Sequence, residues 1–205
     1  MIPRYQKVLF AILLIAALGM GFKLWQLRNR AHKRLLAGQA SAPTAAPIVA
    51  PAEQATLVVA NDFDNSLVPQ VHSLPLPADP GARARAVLGK LLDLYAAPES
   101  THEIPGGAAS VDQVFLLAAP GSKNSGDQLA VVNLTGTFAA SHPAGLETES
   151  LTVLSICATL RANLPTITEV RFLVDGIERP TLAGHADLTR TYLTDEAAPA
   201  EGARP

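Results

Sequence analysis

The sequence predicts an α+β fold: a small, mostly antiparallel sheet with two helices on one face, preceded by a single N-terminal transmembrane helix. Three observations support this fold class. An unbroken apolar run lies near the N-terminus, and a Pro/Ala-rich segment follows it. In residues 55–194, short β-branched runs then alternate with two longer segments of helical periodicity. The predicted element order is β-(β)-α-β-β-α-β, in one domain with one core.

The apolar run from Val8 to Trp25 predicts a membrane anchor. Its 18 residues would rise about 27 Å as a helix, close to the hydrocarbon thickness of about 30 Å. A cleavable signal peptide is the alternative, but it needs a small-residue cleavage site soon after the run, where the chain continues KLWQLRNRAHKRLL. We therefore assign residues 1–34 to an uncleaved anchor with basic flanks.

The segments on either side of the domain have compositions unlike that of a packed core. Residues 35–54 are rich in Ala and Pro, which predicts a semi-rigid linker. Residues 195–205 show no apolar periodicity, which predicts a disordered tail. The domain between them, residues 55–194, carries fourteen acidic and eight basic side chains. Because that excess repels a phosphate backbone, we expect no nucleic-acid partner.

The first half of the domain begins with a strand over 56–62 that ends in polar turn residues. The segment 67–77 contains prolines, so it is predicted as an edge strand. A helix follows over 79–97, with Asp79 as its N-cap and Pro80 at its first position.

The second half repeats this alternation of strands and helices. Strands are predicted over 111–119 and 128–138, joined by the hairpin-type connection PGSKNSGD. A helix is predicted over 146–163, acidic at its start and apolar on more than one side. A last strand over 169–174 ends in an Asp-Gly pair that fits a type I′ turn.

No motif supplies a convincing catalyst or metal site. Asp62, Asp64 and Ser66 are spaced as in a calcium loop, but Leu67 and Ser73 occupy the positions that need Gly and Glu, so a local Asx turn is predicted. The histidines form no H-x-x-x-H pair, and the chain has no C-x-x-C and no G-x-S-x-G. We predict no catalytic residue, no cofactor and no metal ligand.

His185 and Asp187, two residues apart, are interpreted as local hydrogen-bonding groups that fix the C-terminal segment of the domain. The remaining enzyme hypothesis is a hydrolase that uses this pair or the pair Asp62/Asp64.

Together these segments resemble the GerMN domain, a module of sporulation and germination proteins. The resemblance covers residues 56–190 in the order VVANDFDNSLVPQ, ARAVLGKLLD with THEIPGGA, AVVNLTGTF, SICATLRANLPTITEV and FLVDGIERPTLAGHADLT. The last block is the most specific. Its family-motif residues, to which we assign a structural role, are Asp175, Gly176, Gly184, His185 and Asp187.

The resemblance implies a non-enzymatic module of the bacterial envelope, with a fold similar to modules that build rings in secretion and sporulation channels. It supplies no catalytic residues. Members are often held by a membrane anchor or a lipoprotein tail, and this chain lacks a lipobox cysteine. The resemblance does not imply a role in sporulation, because the module also occurs in bacteria that do not sporulate.

The orientation of the anchor is predicted differently by two criteria. Two basic residues precede the apolar run and five follow its start, which favours a cytoplasmic domain under the positive-inside rule. The family resemblance and the linker favour the extracytoplasmic side, and we adopt a single-pass protein of the inner membrane on that basis. The expected partner is an envelope protein or a second copy of the chain. A domain that binds a small ligand or cell-wall fragment near Tyr95, His102 and the IPGGA loop is the alternative.

Overall fold

The computed structural model describes residues 51–122 and 124–195, together with Met20 and Lys23. By its internal contacts the chain divides into Met1–Ile48 and Val49–Pro205, and the elements below belong to the second unit. Apart from Met20 and Lys23, the predicted anchor Val8–Trp25 lies outside the described residues, as do most of the predicted linker and tail. Among the described residues, no helix has the length and apolar character needed to cross a membrane.

In the described part of the second unit, residues 51–122 and 124–195, the strands and helices follow one another in ten elements. They are β1 Ala52–Asn61, β2 Ser66–Pro75, α1 Pro80–Tyr95, a 3-10 turn Gly107–Ser110, β3 Val111–Ala118, β4 Gln128–Leu134, α2 Gly136–Ser141, α3 Leu146–Asn163, β5 Ile167–Val174 and β6 Tyr192–Leu193. The α+β class is confirmed, and α3 has the predicted bounds.

The strands form two sheets rather than one. β1 and β2 make an antiparallel hairpin, and the other four strands are ordered β3-β4-β5-β6. Within the larger sheet β4 and β5 are parallel, whereas the outer pairs are antiparallel. The prediction of one mostly antiparallel sheet is therefore corrected. The physical reason is that α3 lies between β4 and β5 in the chain, and a helical crossover returns the next strand in the same direction.

A third helix, α2, replaces the end of the predicted strand 128–138. Thr135 has an extended backbone, and its side-chain oxygen accepts a hydrogen bond from the backbone N–H of Phe138 at 3.3 Å. This N-cap stops β4 at Leu134 and starts the helix at Gly136. The β-forming residues of this segment predict a strand that continues to residue 138, and the N-cap at Thr135 was not recognised from the sequence.

The longer helices cover one face of the larger sheet. α1 packs on β3, α3 packs on β1 and β5, and the two helices contact each other. The covered face carries Val114, Val132 and Phe172 in register across three strands, and all three are buried. At the start of α1, the side chain of Asp79 accepts from the backbone N–H of Ala82 at 2.7 Å, as the predicted N-cap requires.

The end of β5 forms the tight turn predicted from its Asp-Gly pair. Asp175 and Gly176 have φ of 52° and 77°, the positive values that a type I′ turn needs at both positions. The backbones of Val174 and Ile177 exchange two hydrogen bonds of 2.9 and 3.1 Å. The returning arm pairs only at Ile177, and β5 finds its next partner in the two residues of β6.

Candidate functional site

The loop between β1 and β2 is closed by its own side chains. Oδ1 of Asp64 accepts from the backbone N–H of Ser66 at 3.2 Å and from its hydroxyl at 2.6 Å. Oδ1 of Asn61 accepts from the N–H of Phe63 at 3.1 Å. These contacts are Asx turns, as predicted. Within the described ranges, no three His, Cys, Asp or Glu side chains are grouped so that they could hold a metal ion.

A line of polar side chains runs from this loop into the core, and we call it the histidine chain. Oδ1 of Asp62 lies 2.6 Å from Nδ1 of His102. Nε2 of His102 and Nε2 of His142 each lie 2.8 Å from the hydroxyl oxygen of Thr152. Nδ1 of His142 lies 2.8 Å from the carbonyl oxygen of Pro143. His102 and Thr152 are fully buried, and His142 is nearly so.

The first three groups of the histidine chain are connected like a nucleophilic triad, as carboxylate, imidazole and hydroxyl. Catalysis also requires the hydroxyl to face a substrate. Thr152 lies within α3 at 0% exposure, and its hydroxyl also contacts the carbonyl oxygen of Thr148 at 3.0 Å. The arrangement can therefore hold and exchange protons, but it offers no surface for acyl transfer.

Burial dominates the protonation of the histidine chain. It lowers the pKa of His102, and the hydrogen bond and negative charge of Asp62 oppose that effect. Burial also lowers the pKa of His142, against the carbonyl of Pro143. Both imidazoles are thus harder to protonate than a histidine in water.

Tyr95 packs beside the histidine chain and is also enclosed. Its ring meets the His102 ring edge-on, with centroids 4.7 Å apart. Its hydroxyl accepts from the N–H of Ala60 at 2.9 Å and donates to the hydroxyl of Ser155 at 2.8 Å. Burial raises its pKa to about 12. The ligand site predicted near Tyr95 and His102 is corrected here, because both side chains are 0% exposed and lie in the core.

A second buried polar group, Glu149 of α3, is held by backbone. Its Oε2 accepts from the N–H groups of Ala183, His185 and Ala186 at 3.0, 2.9 and 2.8 Å. Its Oε1 lies 2.8 Å from Nδ1 of His185 and accepts from the N–H of Gly145 at 3.2 Å. We call this arrangement the glutamate nest.

The glutamate nest holds its carboxylate in the ionised form. Burial alone would raise the pKa of Glu149, but the N–H groups of Ala183 and Ala186, together with His185, lower it to about 2. Sequence reasoning treated Glu149 only as a charge near the helix start. The signal for its burial was present, because Glu149 precedes Val153 by four residues and Ile156 by seven, which places it on the buried face of the helix.

The family-motif residues predicted from the sequence lie at three separate places. Gly184, with φ of 129°, and His185 belong to the glutamate nest. Asp187 instead accepts from the N–H and hydroxyl of Thr189 at 2.8 and 2.6 Å, and the hydrogen bonds from Thr189 lower its pKa. His185 and Asp187 therefore bond to different partners rather than to each other.

Asp175 and Gly176 connect the end of β5 to the end of β4. Oδ1 of Asp175 accepts from the N–H of Gly136, at the start of α2, at 2.7 Å. The N–H of Gly176 donates to Oδ1 of Asn133 at 2.7 Å. A Cβ atom at position 136 would lie 2.2 Å from Oδ2 of Asp175, so this close approach needs a glycine.

The face of the larger sheet away from the helices, which we call the outer face, carries exposed apolar side chains. Leu117, Leu129, Glu169 and Leu193 lie in one row across the four strands. Leu117 is 53% exposed and Leu193 is 43% exposed. Phe115, in the neighbouring row, is 47% exposed.

The outer face meets a sheet edge at β3, which is an end strand of the larger sheet. At the start of this strand the side chain of Arg85 covers the edge, since its Nε donates to the carbonyl of Val111 at 3.2 Å. The exposed apolar residues Phe115 and Leu117 follow in the second half of the strand.

Comparisons with known proteins give a family match and similar folds. The profile of the Germane family, described as sporulation and spore germination, matches residues 56–179. A structure of the tandem GerMN domains of the sporulation protein GerM from Bacillus subtilis is 18% identical, with a TM-score of 0.45, over 71% of this chain and 48% of that chain. This chain thus spans about half of that tandem structure.

Two further solved structures are similar. The first GerMN domain of GerM is 17% identical over 70% of this chain and 98% of that chain, with a TM-score of 0.40. A putative lipoprotein from Clostridium perfringens is 16% identical over 74% of this chain and 93% of that chain, with a TM-score of 0.37. No curated protein sequence matches the chain.

Proposed function

We propose that the folded domain of this chain is a non-enzymatic module that binds a protein in the cell envelope. The chain belongs to the Germane family, as its resemblance to the GerMN domain predicted. The observation that carries this proposal is the outer face. Phe115 and Leu117 on β3 and Leu193 on β6 expose 43 to 53% of their surface on this face, with Leu129 and Glu169 between the two end strands. Exposed apolar side chains on one face of a sheet are typical of surfaces that bind other proteins.

The polar groups of the domain support binding rather than catalysis. His102, His142, Thr152 and Glu149 are buried, and their polar atoms contact other groups of the domain rather than solvent. The pairs that the hydrolase hypothesis would use, Asp62/Asp64 and His185/Asp187, are not free for catalysis, because Asp64 and Asp187 each close a local turn. The outer face also carries charge, since Arg171 of β5 forms an exposed ion pair of 2.5 Å with Glu178. Protein interfaces commonly combine apolar and polar side chains.

Photo-crosslinking of the full chain in bacterial membranes tests the binding face. A photoreactive amino acid at Phe115 is expected to capture a discrete protein, or a second copy of the chain, and Leu117→Glu should abolish that capture. The matched control carries the same probe at Val71, which is 64% exposed on β2 of the other sheet. Equal capture from Phe115 and Val71, or capture that persists in Leu117→Glu, would contradict the proposal.

We further propose that Val8–Trp25 anchors the module in the inner membrane with the domain outside the cytoplasm. The length of the apolar run and the linker after it support this placement, while the basic residues after the run oppose it. Alkaline phosphatase fused after Asp195 should be active, and a reporter that fluoresces only in the cytoplasm should stay dark. The reverse pair of results would place the domain in the cytoplasm.

A further inference from the structure

The histidine chain has fewer hydrogens than contacts when its imidazoles are neutral. Its four contacts run from Asp62 to His102, from His102 to Thr152, from Thr152 to His142, and from His142 to the carbonyl of Pro143. An ionised carboxylate and a carbonyl can only accept, so the two ends need hydrogens from the imidazoles. Two neutral imidazoles and one hydroxyl supply three hydrogens, which leaves one contact without any.

We propose that the histidine chain is a proton-binding site, and that uptake of one proton from solvent fixes the α2–α3 connection against α3. The contacts limit the place of the missing hydrogen to two atoms. Nδ1 of His102 donates to Asp62 and Nδ1 of His142 donates to Pro143, so Nε2 of each neutral ring can only accept. The Thr152 hydroxyl has one hydrogen and donates to only one of these Nε2 atoms. The other ring must then donate from both nitrogens, which only an imidazolium can do. The new N–H bond therefore forms on Nε2 of His102 or of His142, beside Thr152.

A further contact of Thr152 makes the shortage larger. The carbonyl oxygen of Thr148 lies 3.0 Å from the Thr152 hydroxyl and competes for its single hydrogen. When the hydroxyl turns toward that carbonyl, both imidazoles must donate to its oxygen. The same geometry then requires a second proton, on the other imidazole.

The ionisable groups around the site set the pH at which it fills. Asp62 follows β1, Tyr95 comes from α1, and Glu149 lies one helical turn before Thr152 on α3. The negative charges of Asp62 and Glu149 favour a protonated His142, while burial and the neighbouring His102 oppose it. Tyr95 stays neutral, since burial raises its pKa to about 12. Because burial is the largest effect, the proton is taken up below the usual histidine pKa of about 6.5.

The consequence is local to the connection between α2 and α3. His142 is the residue that follows α2, and Gly145 precedes α3 and donates to Glu149. Without the extra proton, one ring nitrogen and the hydroxyl oxygen of Thr152 face each other with no hydrogen between them, in a buried contact. With the proton, all four contacts are hydrogen bonds, so amide exchange in residues 142–146 should slow. This inference stands independently of the binding face.

Nitrogen NMR of the histidine rings, recorded on the full chain in detergent micelles, tests the proposal directly. As the pH falls from about 8 to about 4, the ring of His102 or of His142 should change from one N–H to two while the domain stays folded. Throughout, Nδ1 of His102 should carry a hydrogen. Signals are assigned by single replacements, of which His142→Gln also places a neutral N–H donor beside Thr152.

Two variants separate proton binding from simple burial. Thr152→Val removes the shared oxygen, so protection from amide exchange in residues 142–146, measured relative to the intrinsic exchange rate at each pH, should no longer depend on pH. Thr152→Ser keeps the hydroxyl and should retain that dependence. The proposal is overturned if neither ring gains a hydrogen before the domain unfolds, or if His142 already carries two at about pH 8. It is also overturned if Thr152→Ser behaves unlike the unmodified chain. Should Thr152→Val fail to fold, the ring titration and Thr152→Ser decide.

Discussion

The glutamate nest and the histidine chain are both buried polar groups anchored on α3, but they satisfy their atoms in different ways. Glu149 takes four of its five contacts from backbone N–H groups, which donate at every pH. The histidine chain relies on imidazoles and a hydroxyl, each of which can donate or accept. The nest therefore fixes one charge state, whereas the chain can exist in more than one.

The difference shows why two groups of similar burial have different roles. A carboxylate surrounded by backbone donors is a structural connection, because it holds the segment around His185 against α3 only while it is ionised. A line of side chains that lacks one hydrogen responds to pH. Removing each group in turn should make this contrast measurable.

Loss of the buried carboxylate should have the largest effect. In Glu149→Gln an amide NH₂ faces backbone donors, so several buried N–H groups lose their acceptor. We expect the free energy of unfolding to fall by about 3–5 kcal/mol, measured by urea denaturation. The matched control is Glu147→Gln, an exposed residue of the same helical turn, which should change it by less than about 0.5 kcal/mol. Equal effects of both substitutions would contradict a structural role for the nest.

The glutamate nest and the histidine chain should change the free energy of unfolding in two different pH ranges. The folded pKa of Glu149, about 2, lies below its ordinary value of 4.5. Its stabilisation is therefore complete above pH 4.5 and is lost as the pH falls toward 2, by about 3 kcal/mol. The pKa values of His102 and His142 are also lowered. Stability should thus begin to fall earlier, below about pH 6.5, where the unfolded chain binds protons more readily.

Urea midpoints measured at closely spaced pH values check both pH ranges. In Glu149→Gln the loss of stability between pH 4.5 and about 2 should become small, while the loss that begins below about pH 6.5 should remain. In a His102→Gln, His142→Gln double variant, the loss that begins below about pH 6.5 should become small instead. Loss of the pH dependence in both ranges in either variant would mean that the two groups act as one.

The sequence predicted the parts of the fold that depend on local patterns. The bounds of α3 follow from its acidic start and its apolar stripe, and the turn at Asp175 follows from the need for positive φ. The parallel pairing of β4 with β5 and the two-residue strand β6 were not predicted, because such pairings depend on long-range contacts.

The two buried groups were harder to predict than the elements that carry them. His102 and His142 are forty residues apart and meet only because both reach Thr152. The partners of Glu149 are mostly backbone N–H groups, which every residue except proline has, so no residue type marks them. The sequence did single out Gly184 and His185, but not the carboxylate that they surround.

Removal of the hydroxyl between the histidines should have an intermediate effect. Thr152→Val keeps the shape of the side chain but leaves two ring nitrogens facing a methyl group. We expect a loss of about 2 kcal/mol in the free energy of unfolding at neutral pH. Thr152→Ser, which keeps the oxygen and loses one methyl, should lose about 1 kcal/mol. Urea denaturation measures both, and a greater loss for Thr152→Ser would show that packing rather than hydrogen bonding dominates.

An effect smaller than those of Glu149→Gln and Thr152→Val is expected where the glutamate nest depends on backbone conformation. Gly184 has φ of 129°, which L side chains rarely adopt, and a Cβ atom there would meet nothing within 4 Å. Gly184→Ala therefore tests strain without a clash, and it should lower the free energy of unfolding by about 1–2 kcal/mol. Gly126→Ala is the matched control, since a Cβ atom at Gly126 also meets nothing and its φ is ordinary. If the nest keeps the carboxylate ionised through this backbone geometry, Gly184→Ala should also raise the NMR-measured pKa of Glu149, while Gly126→Ala leaves it unchanged. An unchanged pKa in Gly184→Ala would instead assign the low value mainly to the side-chain hydrogen bond between His185 and Glu149.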